Sequence, residues 1–172
     1  VHAPNRVKGG TVRKDPVLHI DLAATSLYFA GIEIPKHMEA RTLFGPNFFK
    51  REFTVSARDR CDETYDRIRA VRSPEYKYIR NGYPSRPHLQ PCAYKDNKEI
   101  YQAIRDWGEK GKLNDLQQKL LLSPERAKEE LYDLKNDPWE LNNLADDPNH
   151  AKTLQKMRKA LYQWIRETGD LG

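Results

Sequence analysis

Long apolar runs and a leader segment are both missing from this sequence of 172 residues. No stretch approaches the roughly 20 consecutive apolar residues that a membrane-spanning helix needs, which excludes a membrane span. Residues 1–10 lack an initiating Met and the apolar core of a secretory signal. We therefore expect the chain to begin inside a longer protein.

Cysteine and histidine are too few and too scattered to indicate a site. Cys61 and Cys92 match no short metal-binding motif and cannot form a disulfide framework, so we expect two free thiols. The five histidines contain no pair at the i, i+3 or i+4 spacing of zinc ligands on a helix. A complete phosphate-binding loop and a nucleophile elbow are also missing. We expect neither a metal site nor a cofactor site within these residues.

Charge is plentiful but of mixed sign. Thirty Lys and Arg residues against 25 Asp and Glu residues give a net charge of +5. The basic residues are interleaved with acidic ones, which argues against nucleic-acid binding. A free-standing module that binds acidic glycans remains an alternative.

Periodicity predicts an α+β fold with helices and strands in separate runs. A short buried helix capped by Asp21 is expected to end at Gly31. A strand follows around Phe53 and Val55. The predictions for the rest of the chain are a β-hairpin that turns at 73–75, a Pro-rich loop over 83–96, two short amphipathic helices over 100–120, a strand over 130–134, and an amphipathic last helix with Leu154, Met157, Leu161, Trp164 and Ile165 on its apolar face.

The polar stretch 56–67 is the strongest candidate for a binding function. It begins at the end of the predicted first strand and places guanidinium groups beside carboxylates. Arginine forks suit bidentate capture of sulfate, phosphate or carboxylate groups. Arg58, Asp59 and Arg60 are therefore candidate substrate-binding residues, and the alternative is a solvated loop of mutually neutralising charges.

Acidic residues near the C-terminus do not indicate calcium. Asp133, Asp137, Asp146, Asp147 and Asn149 lack the glycine and terminal glutamate of an EF-hand. We interpret Asp147 or Asn149 as a cap of the last helix.

Several segments together resemble the sulfatase family. Residues 17–25 read V-L-H-I-D-L-A-A-T and residues 30–35 read A-G-I-E-I-P, similar to the sulfatase runs S-H-I-D-L-A-P-T and L-A-G-I. The segments R-A-V-R (69–72), Y-K-Y-I (76–79), E-L-Y-D-L (130–134) and D-P-W-E-L-N-N-L-A (137–145) resemble the C-terminal subdomain of sulfatases. The order and spacing look closest to the heparan N-sulfatase (sulfamidase) branch.

The resemblance implies an alkaline-phosphatase-like α/β enzyme with a C-terminal antiparallel sheet covered by a helix. Sulfatases use calcium and a formylglycine made from the motif C-x-P-S-R. Cys61 precedes D-E-T-Y and Cys92 precedes A-Y-K-D, so neither cysteine matches the motif. The resemblance therefore assigns no catalytic residue to this chain.

We expect residues 1–45 to complete the catalytic α/β domain and residues 50–172 to form the small subdomain. The partners implied are the N-terminal part of the same enzyme and a sulfated glycan. The chain alone is expected to be inactive, and the compartment implied by the resemblance is periplasmic, secreted or lysosomal. If residues 1–45 lost their parent sheet, the exposed apolar face would favour association with another protein.

Overall fold

A computed structural model describes residues 2–4, 6–61 and 63–171 of the chain. The chain divides into two compact units, Val1–Thr54 and Val55–Gly172. Four strands and five helices are described. They are α1 (Asp21–Ala30), β1 (Thr54–Cys61), β2 (Thr64–Arg72), β3 (Tyr76–Asn81), α2 (Ala93–Asp96), α3 (Glu99–Glu109), α4 (Asp115–Gln117), β4 (Glu129–Asp133) and α5 (Ala151–Thr168).

The first unit is built around the start of α1. Asp21 is the first helical residue and not the predicted cap, because its carboxylate is already occupied by other segments. It accepts hydrogen bonds from the backbone N–H groups of Leu18 and Arg41 and pairs with Arg51, at 2.5 Å from Nη2 to Oδ1. One buried carboxylate thus ties three segments together.

The predicted end of α1 is confirmed, but its predicted buried face is wrong. Gly31 adopts a left-handed conformation with φ of 72°, which an L side chain rarely adopts and which ends the helix. The buried residues are Asp21, Ala24 and Thr25, whereas Leu22 is exposed. The carboxylate and the threonine hydroxyl face inward because both accept hydrogen bonds from the segment around residues 41–43.

The second unit contains a four-stranded sheet in the order β1-β2-β3-β4. The hairpin β2–β3 is antiparallel with Val71 opposite Tyr78, and β4 pairs antiparallel with β3 with Leu131 opposite Tyr78. Both the hairpin and the predicted strand over 130–134 are confirmed. At the turn, the Ser73 hydroxyl accepts hydrogen bonds from two backbone N–H groups, which closes it.

One face of this sheet is covered by α5, as predicted. Its residues Leu154, Met157 and Leu161 are buried, and the helix packs against β2 and β3. On the sheet side the fully buried side chains are Val71, Tyr78 and Leu131. The fold is therefore α+β, with its main apolar core between α5 and the sheet.

Asp147 caps the 3-10 turn Pro148–His150 that leads into α5, by accepting a hydrogen bond from the Asn149 N–H.

The stretch 56–67 does not form a loop. Residues 56–61 lie in β1 and residues 64–67 lie in β2, where Thr64 and Asp66 are buried in alternation with exposed Tyr65 and Arg67. Ion pairs to distant segments, described below, allow such polar residues to be buried.

The predicted helices over 100–120 appear as α3 and as α4, which continues into a π-helical turn, Gln118–Leu122. Their apolar residues Ile100, Trp107, Leu116 and Leu120 are exposed. Neither Cys61 nor Cys92 forms a disulfide bond among the described residues, in agreement with the prediction. Among the described helices, none is long and apolar enough to cross a membrane.

Candidate functional site

The three residues predicted to contact substrate lie in the middle of β1. Side chains alternate between the two faces of a strand, so Arg58 and Arg60 share one face and Asp59 lies on the other. Arg58 and Asp59 are half-buried, whereas Arg60 is exposed. The strand therefore does not bring the three side chains together into one cluster.

Asp59 belongs to an ion cluster centred on Arg69 of β2. Nη1 and Nη2 of Arg69 donate to the Asp59 carboxylate at 2.7 and 3.2 Å. Nε and Nη2 donate to Asp170, which follows α5, at 2.6 and 2.8 Å. Nη1 also donates to the Ile68 carbonyl at 3.0 Å. A guanidinium carries five N–H donors, and these contacts account for all of them.

This saturation defines the role of Arg69. The side-chain hydrogen bond with Asp170 raises the pKa of the guanidinium further above its usual value, although burial opposes that shift. Only 3% of the residue is exposed. Arg69 is thus a permanently charged tie between β1, β2 and the segment after α5, with no donor left for a ligand.

A recess of about 330 Å³ lies beside the Arg69 cluster. Side chains from β2, from the end of β3 and from α5 converge on it. Its wall includes Arg67, Arg69, Arg80, Gly82, Tyr83 and Tyr162.

Two guanidinium groups of the recess form no ion pair in the described part of the chain. Within residues 2–4, 6–61 and 63–171, no carboxylate forms an ion pair with Arg67 or Arg80. Nη1 of Arg80 donates to the Tyr162 hydroxyl, and its Cζ lies 5.0 Å from the centre of the Tyr162 ring. The recess therefore carries two guanidinium groups outside any ion pair of the described residues, and that of Arg80 lies against an aromatic ring and interacts with the charge of Glu129 on β4.

Sequence reasoning missed Arg67 and Arg80 because it treated Arg67 as the end of a loop. A signal was present, since Arg67 and Arg69 are two residues apart and share a face once they lie in a strand. The hairpin register then places Arg80 opposite Arg69.

A buried ion pair on the opposite face of β2 holds the backbone of one recess residue in place. Nη2 and Nη1 of Arg126 lie 2.9 and 3.0 Å from the two carboxylate oxygens of Asp66. Gln90 donates to the same carboxylate at 2.7 Å. Arg126 also donates to the Tyr83 carbonyl at 2.9 Å, which fixes the backbone of a recess residue.

The surroundings of Asp66 keep it ionised. Burial raises the pKa of the carboxyl, but hydrogen bonds from Arg126, from the Arg67 N–H and from Gln90 outweigh burial, and the net pKa is lowered. The charge of Arg126 is therefore always matched near neutral pH.

A metal site does not fit the described residues. No group of three or more His, Cys, Asp or Glu side chains among them is placed to hold a metal ion. The carboxylates of Asp133, Asp137 and Asp147 instead accept hydrogen bonds from nearby backbone N–H groups. The calcium and formylglycine implied by the sequence resemblance thus have no fitting residues in this part of the chain.

Curated relatives of the chain are sulfatases. An ulvan-active sulfatase of Formosa agariphila is 33% identical over 171 residues, which covers 99% of this chain and 28% of that protein. A second ulvan-active sulfatase of the same organism is 26% identical over 175 residues, or 98% of this chain and 32% of that protein. The chain is similar to sulfatases over nearly its whole length, consistent with a C-terminal portion of such an enzyme. It spans about a third or less of the length of these relatives. No family model matches it.

The likeness of this chain to the heparan N-sulfatase branch extends over a limited stretch. Human N-sulphoglucosamine sulphohydrolase is 49% identical over 45 residues, which is 26% of this chain and 9% of that enzyme.

Solved sulfatases share the fold. A putative sulfatase from Bacteroides thetaiotaomicron matches 87% of this chain with a TM-score of 0.57 and 25% identity, over 25% of its own chain. A 2-O GAG sulfatase matches the same shares with a TM-score of 0.58 and 25% identity. The predicted α+β class of a sulfatase C-terminal subdomain is therefore confirmed.

Proposed function

We propose that this chain works as the C-terminal part of an enzyme that hydrolyses sulfate esters or sulfamates on a glycan. The observation that carries the proposal is the match over nearly the whole chain to sulfatases described as ulvan-active. In this proposal the N-terminal part of the same enzyme supplies the formylglycine and the calcium ligands. Residues 1–45 complete the catalytic α/β domain and residues 50–172 form the small subdomain, and the division of the chain after Thr54 supports such a boundary.

The test compares the chain of 172 residues with the protein that also carries everything encoded upstream of Val1. Sulfate release is measured on ulvan, on N-sulfated glucosamine and on 2-O-sulfated glycosaminoglycan. We expect release by the longer protein on at least one of them and none by the chain alone. Release by the chain alone, or by neither protein, would contradict the proposal.

Arg58 and Arg60 are proposed to line the rim of the substrate cleft in that enzyme. Their common face on β1 and the exposure of Arg60 support this role. The carboxylate of Asp59 pairs with Arg69, so we assign Asp59 to positioning of β1.

The rim is tested by Arg58→Gln and Arg60→Gln in the longer protein, with Arg72→Gln as the control. Arg72 is an exposed residue of β2, so the control removes the same charge elsewhere. We expect kcat/KM on the sulfated substrate to fall for the first two variants alone. Equal kcat/KM in all three would remove Arg58 and Arg60 from the cleft.

A second candidate function is a free-standing module that binds acidic glycans. Arg67 and Arg80 of the recess, which form no ion pair among the described residues, favour it. A heparin column separates the two functions, because a polyanion-binding module stays bound to high salt whereas a structural subdomain elutes early.

A further inference from the structure

We propose that the recess between β2, β3 and α5 binds a sulfate group carried by a sugar ring. This inference rests on the proposed function for the choice of sulfate among oxyanions. Arg67 and Arg80 bind the sulfate, and Tyr83 and Tyr162 contact the sugar. The site lies on residues for which the sequence assigned no role, and it would hold a sulfate other than the one being hydrolysed.

The first support is the pattern of charge. Arg69, which lines the recess, uses all its N–H donors on Asp59, Asp170 and the Ile68 carbonyl, so it cannot bind a ligand itself. Arg67 and Arg80 form no ion pair within residues 2–4, 6–61 and 63–171, so theirs are the guanidinium groups of the recess that a ligand can use, although Glu129 lies opposite Arg80 and interacts with its charge. Guanidinium groups form short, charge-assisted and often bidentate hydrogen bonds with planar or tetrahedral oxyanions. Two of them at one recess provide enough donors for a sulfate group.

The second support is the close approach of two backbones at Gly82. Its N–H donates to the Arg67 carbonyl at 2.7 Å, which brings the two backbones together. A Cβ at position 82 would lie 2.9 Å from both the Cβ and the carbonyl oxygen of Arg67. Glycine therefore permits the close approach of the two backbones, and position 82 adds no side chain to the lining of the recess.

The third support is the size and lining of the recess. Its volume of about 330 Å³ falls at the lower end of the range for small-ligand pockets, roughly 300–1,000 Å³. Such pockets combine aromatic side chains with a few convergent polar groups. Tyr162 is 43% exposed, so its ring is available to a ligand. A single sulfated sugar unit matches this size and chemistry.

The experiment measures binding by isothermal titration calorimetry on the chain of 172 residues. The probes are glucose 6-sulfate, glucose 6-phosphate, inorganic sulfate and glucose. We expect glucose 6-sulfate to bind more tightly than inorganic sulfate, because the rings contact the sugar, and glucose to bind not at all. Equal binding of inorganic sulfate would overturn the contact with the sugar. Tighter binding of glucose 6-phosphate would overturn the choice of sulfate.

Matched variants locate the site. Arg67→Gln and Arg80→Gln should each weaken binding of glucose 6-sulfate about tenfold, the loss typical of one charge-assisted hydrogen bond. Arg72→Gln removes the same charge from the other face of β2 and should leave binding unchanged. Circular dichroism confirms that each variant is folded. Equal binding by all three variants would overturn the site.

The outcomes separate this inference from the proposed function. Binding is read on the chain alone, whereas hydrolysis is read on the longer protein. Hydrolysis without binding would refute the recess and leave the sulfatase function standing. Binding that depends on Arg67 without hydrolysis would refute the sulfatase function and leave the recess standing.

Discussion

The Asp66–Arg126 pair lies almost wholly out of water, with side chains 0% and 1% exposed. Replacing Arg126 with Met should leave the carboxylate of Asp66 buried without its cationic partner, with only the hydrogen bonds from Gln90 and the Arg67 N–H. Breaking a buried pair in this way typically costs about 3–5 kcal/mol, and we expect a loss of that size in the free energy of unfolding measured with urea. The exposed control Arg72→Met should change it by about 0.5 kcal/mol or less. Similar losses in the two variants would show that the pair contributes no special stability.

Acid should destabilise the second unit through carboxylates of lowered pKa. The hydrogen bond from Arg158 lowers the pKa of Glu129, and the Asp66 pKa is lowered as described above. A group whose folded-state pKa is depressed contributes stability above its unfolded pKa and loses it as the pH falls. We expect the free energy of unfolding to decline as the pH falls from about 5, one unit above the unfolded pKa values near 4, and to go on declining through pH 3 toward the lowered folded-state pKa values.

The matched variant for this pH dependence is Glu129→Gln. It should be less stable than the parent at pH 7, because the pair with Arg158 is lost. Its decline between pH 5 and pH 3 should be shallower, because one titrating group is gone. The free energy of unfolding is measured with urea at each pH. If it declines with pH as steeply in the variant as in the parent, Glu129 is excluded as a source of acid sensitivity.

At the scale of secondary structure elements, α5 carries the apolar core. Leu161, a residue of this helix, is 0% exposed. Leu161→Ala should lower the free energy of unfolding by about 2–5 kcal/mol, the cost of a buried leucine and the cavity left behind. Leu171, at 89% exposure, provides the matched control, and Leu171→Ala should have little effect in the same denaturant titration. A small loss at position 161 would mean that α5 does not close the core.

The elements that could be predicted from sequence are those with apolar periodicity or a distinct turn. The hairpin around Pro74 and the helix that carries Leu154 and Leu161 are of this kind. The strands of the polar stretch could not be predicted, because their burial depends on partners far along the chain. Asp66 pairs with a residue 60 positions away, and Arg69 with one 101 positions away. No local pattern reveals such pairs.

Dependence on distant partners also explains why the candidate site could be predicted only in part. The sequence indicated arginines suited to oxyanions in the correct region, but the residues that converge on a recess depend on the register of two strands. Arg80 lies opposite Arg69 only once the hairpin forms. Asp59, predicted to contact substrate, pairs with Arg69 of the neighbouring strand, and no local pattern in the sequence reveals this pairing.

At the scale of the whole chain, the two units differ in the size of the apolar core that each one buries. Among the described residues up to Thr54, the buried apolar side chains are Ala24 and Ala40. The second unit buries several large ones, among them Tyr78 and Leu161. We expect residues 55–172 made alone to unfold in one cooperative thermal transition, followed by circular dichroism. Residues 1–54 alone should show none, because so small a core does not offset chain entropy. A cooperative transition in the shorter piece would contradict this expectation.

The Arg69 cluster also bears on how the chain is made. Ribosomes add about 5–20 residues per second, so Asp170 emerges roughly 5–20 s after Arg69, given the 101 positions between them. During that interval the Arg69 guanidinium has Asp59 and the Ile68 carbonyl as acceptors, which leaves two of its N–H donors unpaired. The arrival of Asp170 supplies acceptors for both. A chain that ended before this residue would hold a sheet whose buried guanidinium has two unsatisfied donors.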